Sequence, residues 1–347
     1  MNARHFSEGG CKAMNRHECD KFLKGIVDSG LADCMSAAIE KSGKTVYEFS
    51  ATNGRRPEYA GFAADTRFNI GSVSKIITSA MLVMLIERGK LSAADKVRKY
   101  IPEYPFDDVA IEHLLLHTSG CTASKPSTEG GQKAYLERIF AITERSYEIG
   151  TALSYWTAGY SVVMELIQRV TGEPFEQFAK REIFERLGMG QSSFLFSEVP
   201  AGRHVFPLSQ NGDRLLDLSK LPVTGDSNLY TTPQDLLKLS RSLLDVFFER
   251  KQGILSKYGV DLMFREATNG RFDRTLAFWR KSQKRAFSRC AGDLNSEEAL
   301  YHTGYTGCML LLDPAYDLSV AILSNSLKLH SEDANYSRII NAMICVE

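Results

Sequence analysis

The spacing of hydrophobic positions predicts both helices and strands in the first quarter of the chain. Apolar residues recur at helical intervals over 16–31 and predict an N-terminal helix. Alternation over 35–50, about a glycine-containing turn, predicts a β-hairpin. Residues 72–89 are apolar on most sides of a helix, which is typical of a helix buried at the centre of a protein.

The rest of the chain separates into a helical middle and a strand-rich end. Helical spacing predicts middle helices at 108–117, 131–143, 157–171, 174–187 and 233–248. Strand patterns predict late strands at 275–280, 299–302, 307–312 and 318–324, before a final helix at 332–344. This order predicts an α+β fold, in which an antiparallel sheet assembled from both chain ends is flanked by helices and a mostly helical domain is inserted.

The same pattern predicts a division of the 347 residues into domains. We expect a flexible tail at 1–15 and a sheet domain formed by 16–70 and 250–347. The helical domain is expected at 71–249, with the active site at the interface of the two domains.

Composition and charge restrict the possible partners. The 42 basic and 42 acidic residues give a formal net charge of +0, which does not favour a nucleic acid or an anionic membrane surface. The N-terminal segment is polar and has no apolar core of a secretion signal. The longest apolar stretch, 76–86, is too short to cross a bilayer. We therefore expect a cytoplasmic protein that acts on a small molecule, and the oligomeric state stays open.

Cysteine and histidine positions predict no metal site and no disulfide framework. The seven cysteines are scattered without a C-x-x-C pair, which favours reduced thiols. His113 and His117 are four residues apart, but the sequence places no third ligand beside them.

The strongest chemical signal is Ser72-Val73-Ser74-Lys75, which is the only S-x-x-K sequence in the chain. Residues three apart at the start of a helix share a face, so Ser72 and Lys75 are expected to be neighbours. A serine hydroxyl needs a base to become a nucleophile, and a desolvated lysine can supply one. Taken alone, the pair also fits a serine at the N-terminus of a helix and an ordinary lysine within that helix.

Several segments in a fixed order resemble the class C β-lactamases and their esterase and D-peptidase relatives. The similar segments are 68–75, 111–120, 153–160, 224–236 and 302–307. An ordered set of motifs is far more specific than any one of them. The resemblance implies a β-lactamase/transpeptidase-like fold over roughly 20–345.

The resemblance also implies a catalytic mechanism. Ser72 would attack an acyl carbonyl, Lys75 would take the serine proton, and Tyr155 would pass a proton to the leaving group. The backbone N–H groups of Ser72 and Tyr305 would form the oxyanion hole. Without the resemblance, a core tyrosine with a satisfied hydroxyl would be the preferred interpretation of Tyr155. No metal or organic cofactor is expected, because acyl-serine chemistry requires neither.

The remaining site residues implied by the resemblance line the substrate. His302 and Gly304 lie in the strand motif, and Thr157 follows Tyr155 at the position of the family's Tyr-x-Asn asparagine. Trp156 and Tyr305 are expected to form an aromatic rim. Taken alone, His302 would fit a half-buried strand histidine and the two aromatic residues would fit structural roles.

Two departures from the family pattern favour an ester as substrate. Thr157 replaces the family's Asn and cannot reproduce the reach of an amide toward a substrate amide. His302 stands where the motif can carry a lysine, and a histidine is mostly neutral near pH 7. We therefore expect a serine hydrolase that cleaves an ester, or an amide, through an acyl-enzyme. An acyltransferase with the same chemistry and a non-catalytic binding module on this fold are the alternatives.

Overall fold

The computed structural model describes residues 14–215, 220–281 and 290–346. Most of the predicted tail at 1–15 and Cys11 lie outside these residues. The structure confirms the predicted α+β fold with an antiparallel sheet.

The main sheet has six strands in the order β2-β1-β9-β8-β7-β6, and every neighbouring pair is antiparallel. It therefore joins strands from the two ends of the chain, as the sequence predicted. The strands are β1 (Cys34–Lys41), β2 (Lys44–Thr52), β6 (Trp279–Arg280), β7 (Leu300–Gly304), β8 (Cys308–Asp313) and β9 (Leu318–Ser324). A smaller sheet, ordered β4-β3-β5, contains β3 (Arg67–Asn69), β4 (His204–Val205) and β5 (Tyr230–Thr231).

Helices surround the main sheet and fill the middle of the chain. Those of eight or more residues are α1 (Arg16–Ser29), α2 (Lys75–Glu87), α4 (Gly131–Phe140), α5 (Ala158–Thr171), α8 (Pro233–Phe247), α9 (Lys257–Phe264) and α11 (Asp333–Ile344). The short helices are α3 (Ile111–Leu115), α6 (Phe175–Ala179), α7 (Glu185–Leu187) and α10 (Leu327–His330).

Local sequence signals explain where several helices begin and end. Asn15 and Glu18 form a reciprocal capping box at the start of α1, and Gly30 ends the helix with a left-handed φ of 84°. Thr232 caps α8 through its side chain, and Pro233 occupies the first turn, where the missing N–H has no helical partner anyway.

The two faces of the main sheet pack against different helices. One face, which includes Met35, Ile39 and Leu311, forms a core with residues of α1 and α11. The opposite face, which includes Ala38 and Leu310, joins the larger core that contains α2, α5 and α8. Alternate residues of each strand therefore serve separate cores, because successive side chains point to opposite faces.

The structure corrects three details of the predicted elements. Only Trp279–Arg280 of the predicted strand 275–280 pairs with a neighbour, because Thr275 turns the chain by accepting hydrogen bonds from the N–H groups of Ala277 and Phe278 at 3.2 and 2.8 Å. The predicted helix 174–187 is α6 and α7 joined by a π-helical turn. Helix α9 had no counterpart in the prediction. The two-domain division remains a prediction.

Among the described residues, no helix combines the length and the apolar character that crossing a membrane requires. Cys19, Cys34, Cys121 and Cys308 are buried thiols. Burial raises the pKa of Cys34 to about 12 and that of Cys308 to about 11, so both stay protonated at neutral pH.

Candidate active site

Ser72 lies in a tight turn between the small sheet and helix α2. The turn is a 3-10 segment, Gly71–Ser74, so the α-helix starts at Lys75 and not at Ser72 as the sequence predicted. Gly71 has a φ of 53°, a left-handed conformation that glycine adopts without strain. Asn69 accepts a hydrogen bond from the Gly71 N–H at 3.1 Å. Ser72 is half-buried at the surface of this turn.

The side chains of Ser72 and Lys75 meet, as their spacing predicted. Lys75 Nζ lies 2.9 Å from Ser72 Oγ and 2.9 Å from the backbone oxygen of Asp226. Lys75 is completely buried. Burial lowers its pKa to about 7, with help from the positive charges of Lys125 and Arg274 and against the carboxylate of Asp226. A substantial fraction of Lys75 is therefore neutral at pH 7 and has a lone pair that can accept a proton.

Tyr155 lies against the same lysine. Its ring centroid is 5.2 Å from Lys75 Nζ and 4.2 Å from the His117 ring. The residue is 40% exposed as a whole, yet its hydroxyl is buried near Ser72. Burial of this hydroxyl raises the pKa of Tyr155 to about 12, although the nearby Ser72 hydroxyl opposes the rise. Tyr155 thus keeps its proton at neutral pH and can donate it.

His302 is a buried, uncharged member of the site. It is 1% exposed on β7, and its Nδ1–H donates to the Thr303 carbonyl at 2.9 Å. Burial, followed by the positive charges of Arg274 and Lys75, holds the pKa of His302 well below its usual range. The strand motif therefore presents no fixed positive charge at this position, in agreement with the sequence prediction.

Two glycines bring the end of β7 against the Ser72 turn. A Cβ atom on Gly304 would lie 2.1 Å from the Ile70 carbonyl oxygen, so only glycine fits there. A Cβ atom on Gly71 would lie 3.2 Å from the backbone nitrogen of Tyr305. The Tyr305 N–H therefore lies beside the turn whose second residue is Ser72. This proximity is what an oxyanion hole formed by two backbone N–H groups requires.

The predicted aromatic rim is only partly correct. Tyr305 is 56% exposed, as a rim residue should be. Trp156 is 3% exposed and packs in the larger core, so the rim prediction is wrong for this residue. The half-buried Trp279 lies there instead, with its ring 6.3 Å from that of Tyr155 and nearly parallel to it. Thr157 is half-buried at the start of α5, where its side chain makes no capping hydrogen bond.

Sequence reasoning assigned no role to the groups behind Lys75. Asp226 is 1% exposed and pairs with Lys125 at 2.8 Å, while its backbone oxygen accepts the hydrogen bond from Lys75. Burial works to raise the pKa of Asp226, but Lys125 and Lys75 outweigh it and lower that pKa. Arg274 is also completely buried near the site. Asp226 lies in segment 224–236, which resembles the family. Arg274 lies in no such segment, and the sequence gives no indication of its role.

His113 and His117, which are four residues apart, have different contacts. His113 Nδ1 accepts the Ala110 N–H at 3.1 Å at the start of α3, and the His117 ring lies against that of Tyr155 at an angle of 32°. In the parts of the chain that the structure describes, no three His, Cys, Asp or Glu side chains are grouped so that they could hold a metal ion.

Comparisons with known proteins place these residues in a family context. A family model described as Beta-lactamase matches residues 20–342. A Bacillus subtilis (strain 168) protein named as penicillin-binding protein PbpX is 27% identical over 246 residues, which cover 69% of this chain and 61% of the relative. The N-acetylmuramyl-L-alanine amidase of the same strain is 25% identical over 317 residues, with coverages of 78% and 70%.

A solved structure supports the fold. EstCE1, described as a hydrolase with promiscuous acyltransferase activity, superposes with a TM-score of 0.79 at 18% identity. The match covers 94% of this chain and 98% of that one.

Proposed function

The chain belongs to the beta-lactamase family of serine hydrolases, and on this premise we propose that it cleaves a carboxylic ester through an acyl-enzyme on Ser72. The observation that carries the proposal is the 2.9 Å contact between Ser72 Oγ and the buried Lys75 amine. A buried lysine with a pKa of about 7 is a suitable base at neutral pH, because general bases work best when their pKa lies near the working pH.

Acylation follows from the positions of three side chains. Neutral Lys75 takes the hydroxyl proton as Ser72 Oγ attacks the ester carbonyl. The backbone N–H groups of Ser72 and Tyr305 donate to the oxygen that becomes negative. As the carbon–oxygen bond breaks, Tyr155 gives its proton to the leaving alkoxide and recovers one from the Lys75 ammonium. The alcohol leaves, and the acyl group remains on Ser72.

Hydrolysis of the acyl-enzyme reverses these proton movements. Lys75 and Tyr155 together accept a proton from a water molecule as it attacks the acyl carbonyl. The tetrahedral intermediate collapses, Ser72 Oγ leaves and recovers a proton, and the carboxylic acid is released. Both side chains return to their starting protonation states.

The charges around the site favour an uncharged ester over a substrate that carries a carboxylate. His302 is neutral, so β7 offers no cation to such a substrate. The ammonium of Lys125 is already paired with Asp226, and Arg274 is completely buried. Thr157 presents a short hydroxyl in place of an amide. We propose that the substrate is a small molecule and, because the cysteines that the structure describes are free thiols, that the reaction takes place in the cytoplasm.

Substitution of the nucleophile tests the proposal. We expect Ser72→Ala to abolish hydrolysis of p-nitrophenyl butyrate and labelling by a fluorophosphonate probe, with an unchanged circular dichroism spectrum. The matched control is Ser124→Ala, at an exposed serine with no role in the mechanism. Equal rates in the Ser72→Ala variant and in the wild type would contradict the mechanism.

The same assay separates the alternative functions. Butyl butyrate that forms faster than butyrate when butanol is added would assign an acyltransferase. A folded wild-type protein that is not labelled at Ser72 would favour a non-catalytic binding module.

A further inference from the structure

We propose that Arg274 is a positioning residue of the active site, whose buried positive charge helps to keep Lys75 neutral and favours the tyrosinate that forms when Tyr155 gives up its proton. The proposal rests on the acyl-serine mechanism above and deepens it. It concerns a residue outside every segment that resembles the family motifs.

Arg274 carries a buried charge that has no counter-ion among the residues that the structure describes. It is 0% exposed, and its Nη2 donates to the Leu115 carbonyl at 3.2 Å. Its Nε and Nη1 have no acceptor, and no carboxylate pairs with it, within the described ranges. Leaving a buried charge unpaired costs several kcal/mol in proteins. A feature that destabilises the fold in this way requires a functional explanation.

The position of Arg274 supplies that explanation, because two short series of contacts connect it to Tyr155 and to Lys75. Its Cζ lies 4.4 Å from the Trp279 ring, which is nearly parallel to the ring of Tyr155. The Leu115 carbonyl that it binds also accepts the Tyr160 hydroxyl at 3.2 Å. The Tyr160 ring lies 5.4 Å from Lys75 Nζ. The guanidinium thus lies behind both Tyr155 and Lys75 in a layer that excludes water.

Electrostatic effects at each neighbour have the sign that the proposal requires. Among the charged groups that act on Tyr155, Arg274 has the largest effect and lowers the pKa of the hydroxyl. It also lowers the pKa of Lys75, and with it those of His117 and His302. The titratable and charged groups that face Lys75 or Arg274 from the surrounding elements are His117, Lys125, Tyr155, Tyr160, Asp226, Tyr301 and His302.

Arg274 brings to the site a positive charge that the neutral His302 does not. The strand motif can carry a lysine at that position, and a lysine there would bring a cation to the site from β7. In this chain β7 brings an uncharged imidazole, while Arg274 brings a permanent cation from the segment before β6. The arginine therefore provides from behind the site the positive charge that the strand lacks.

The test compares Arg274→Gln, which retains a donor for the Leu115 carbonyl without the charge, with Arg274→Lys, which retains the charge. The measured quantity is kcat/KM for p-nitrophenyl butyrate from pH 5 to pH 10. We expect the acidic limb of the pH profile, where kcat/KM falls with falling pH, to move up by about half a pH unit in Arg274→Gln, which makes the variant about three-fold slower at pH 6. The limb of Arg274→Lys should stay at the wild-type position. An unmoved limb in Arg274→Gln would overturn the proposal.

The leaving group tests the action through Tyr155. p-Nitrophenolate leaves without a proton, so its kcat at pH 9 should fall less than two-fold in Arg274→Gln. Ethyl butyrate needs the Tyr155 proton, so its kcat at pH 9 should fall about ten-fold. Equal losses for the two esters would show that the arginine has only a structural role.

Two further measurements keep the outcome unambiguous. If Arg274→Gln does not fold, the wild-type limb is measured in 0.05 M and 1 M NaCl. If a buried charge sets the pH of the acidic limb, that pH should not change with salt. A limb that moves to higher pH in 1 M NaCl would assign the effect to exposed charges such as Lys125 and overturn the proposal. Fluorophosphonate labelling of wild-type Ser72 is measured in parallel, because its absence would refute the proposed function and not the role of Arg274 alone.

Discussion

Two arginines within the described part of the chain show how differently one fold treats a buried cation. Arg241 lies on α8, with its side chain 16% exposed, and forms ion pairs with Glu40, Asp245 and Asp317. Burial lowers the pKa of Arg241, but these carboxylates outweigh it and raise that pKa. Arg274 has no carboxylate partner among the described residues, and burial lowers its pKa. The comparison shows that the fold can pair a buried guanidinium with carboxylates, as at Arg241, and that the described residues do not do so at Arg274.

The largest expected effect is the loss of activity when the proton donor Tyr155 is removed from the site. We expect Tyr155→Phe to lower kcat for an alkyl ester by about 10²–10⁴-fold, because the leaving alkoxide loses its proton donor. The unfolding midpoint in urea should stay within error of the wild type. Tyr147→Phe, at a tyrosine that is 50% exposed, is the control. An unchanged kcat would remove Tyr155 from the mechanism.

Replacement of Arg241 should instead lower stability and leave activity nearly unchanged. Arg241→Met leaves the buried Glu40 without the cation that it pairs with in the described residues, while Asp245 and Asp317 keep Arg250, and it should lower the free energy of unfolding by about 3 kcal/mol. Its kcat/KM at 25 °C should remain within about two-fold of the wild type, since Arg241 does not touch the site. Urea denaturation measures the first value and ester hydrolysis the second. Arg265→Met, at an exposed arginine, should change neither.

The pH profile sharpens the comparison at the site. The pKa of Lys75 is lowered to about 7, so the base is protonated and inactive below that pH and neutral above it. Wild-type kcat/KM should therefore rise about ten-fold from pH 6 to its plateau above pH 8. The pKa of Tyr155, raised to about 12, predicts no descending limb below pH 10. A profile that falls with rising pH across neutrality would contradict Lys75 as the base.

The smallest expected effect is a change in the free energy of unfolding when Arg274 is replaced. Arg274→Met removes an uncompensated buried charge and leaves Tyr160 as the donor to the Leu115 carbonyl. We expect the free energy of unfolding to rise by about 1 kcal/mol, while kcat for ethyl butyrate falls. Urea denaturation checks the gain. A loss of stability as large as that of Arg241→Met would show that the two arginines do not differ in the way proposed.

The sequence predicted the parts of the site that depend on short-range spacing. Ser72 and Lys75 meet because three residues make one helical turn, and the order of the elements sufficed to predict a sheet built from both chain ends. Trp156 was misplaced because adjacency to Tyr155 says nothing about which side of the chain faces the core. Arg274 was missed because the local sequence around a single arginine does not show whether its guanidinium is buried or exposed to water.

The close approach of Gly304 to Ile70 has a consequence for how the protein becomes active. Strands β7, β8 and β9 are made after the other strands of the main sheet, yet β9 is a partner of β1 and the residue after β7 supplies the backbone N–H of Tyr305. A nascent chain that stops before β7 therefore carries Ser72 and Lys75 but has only part of the groups that receive the developing oxyanion. Turnover of a chromogenic ester should consequently begin only when the chain ends have joined, which makes activity a reporter of completed assembly.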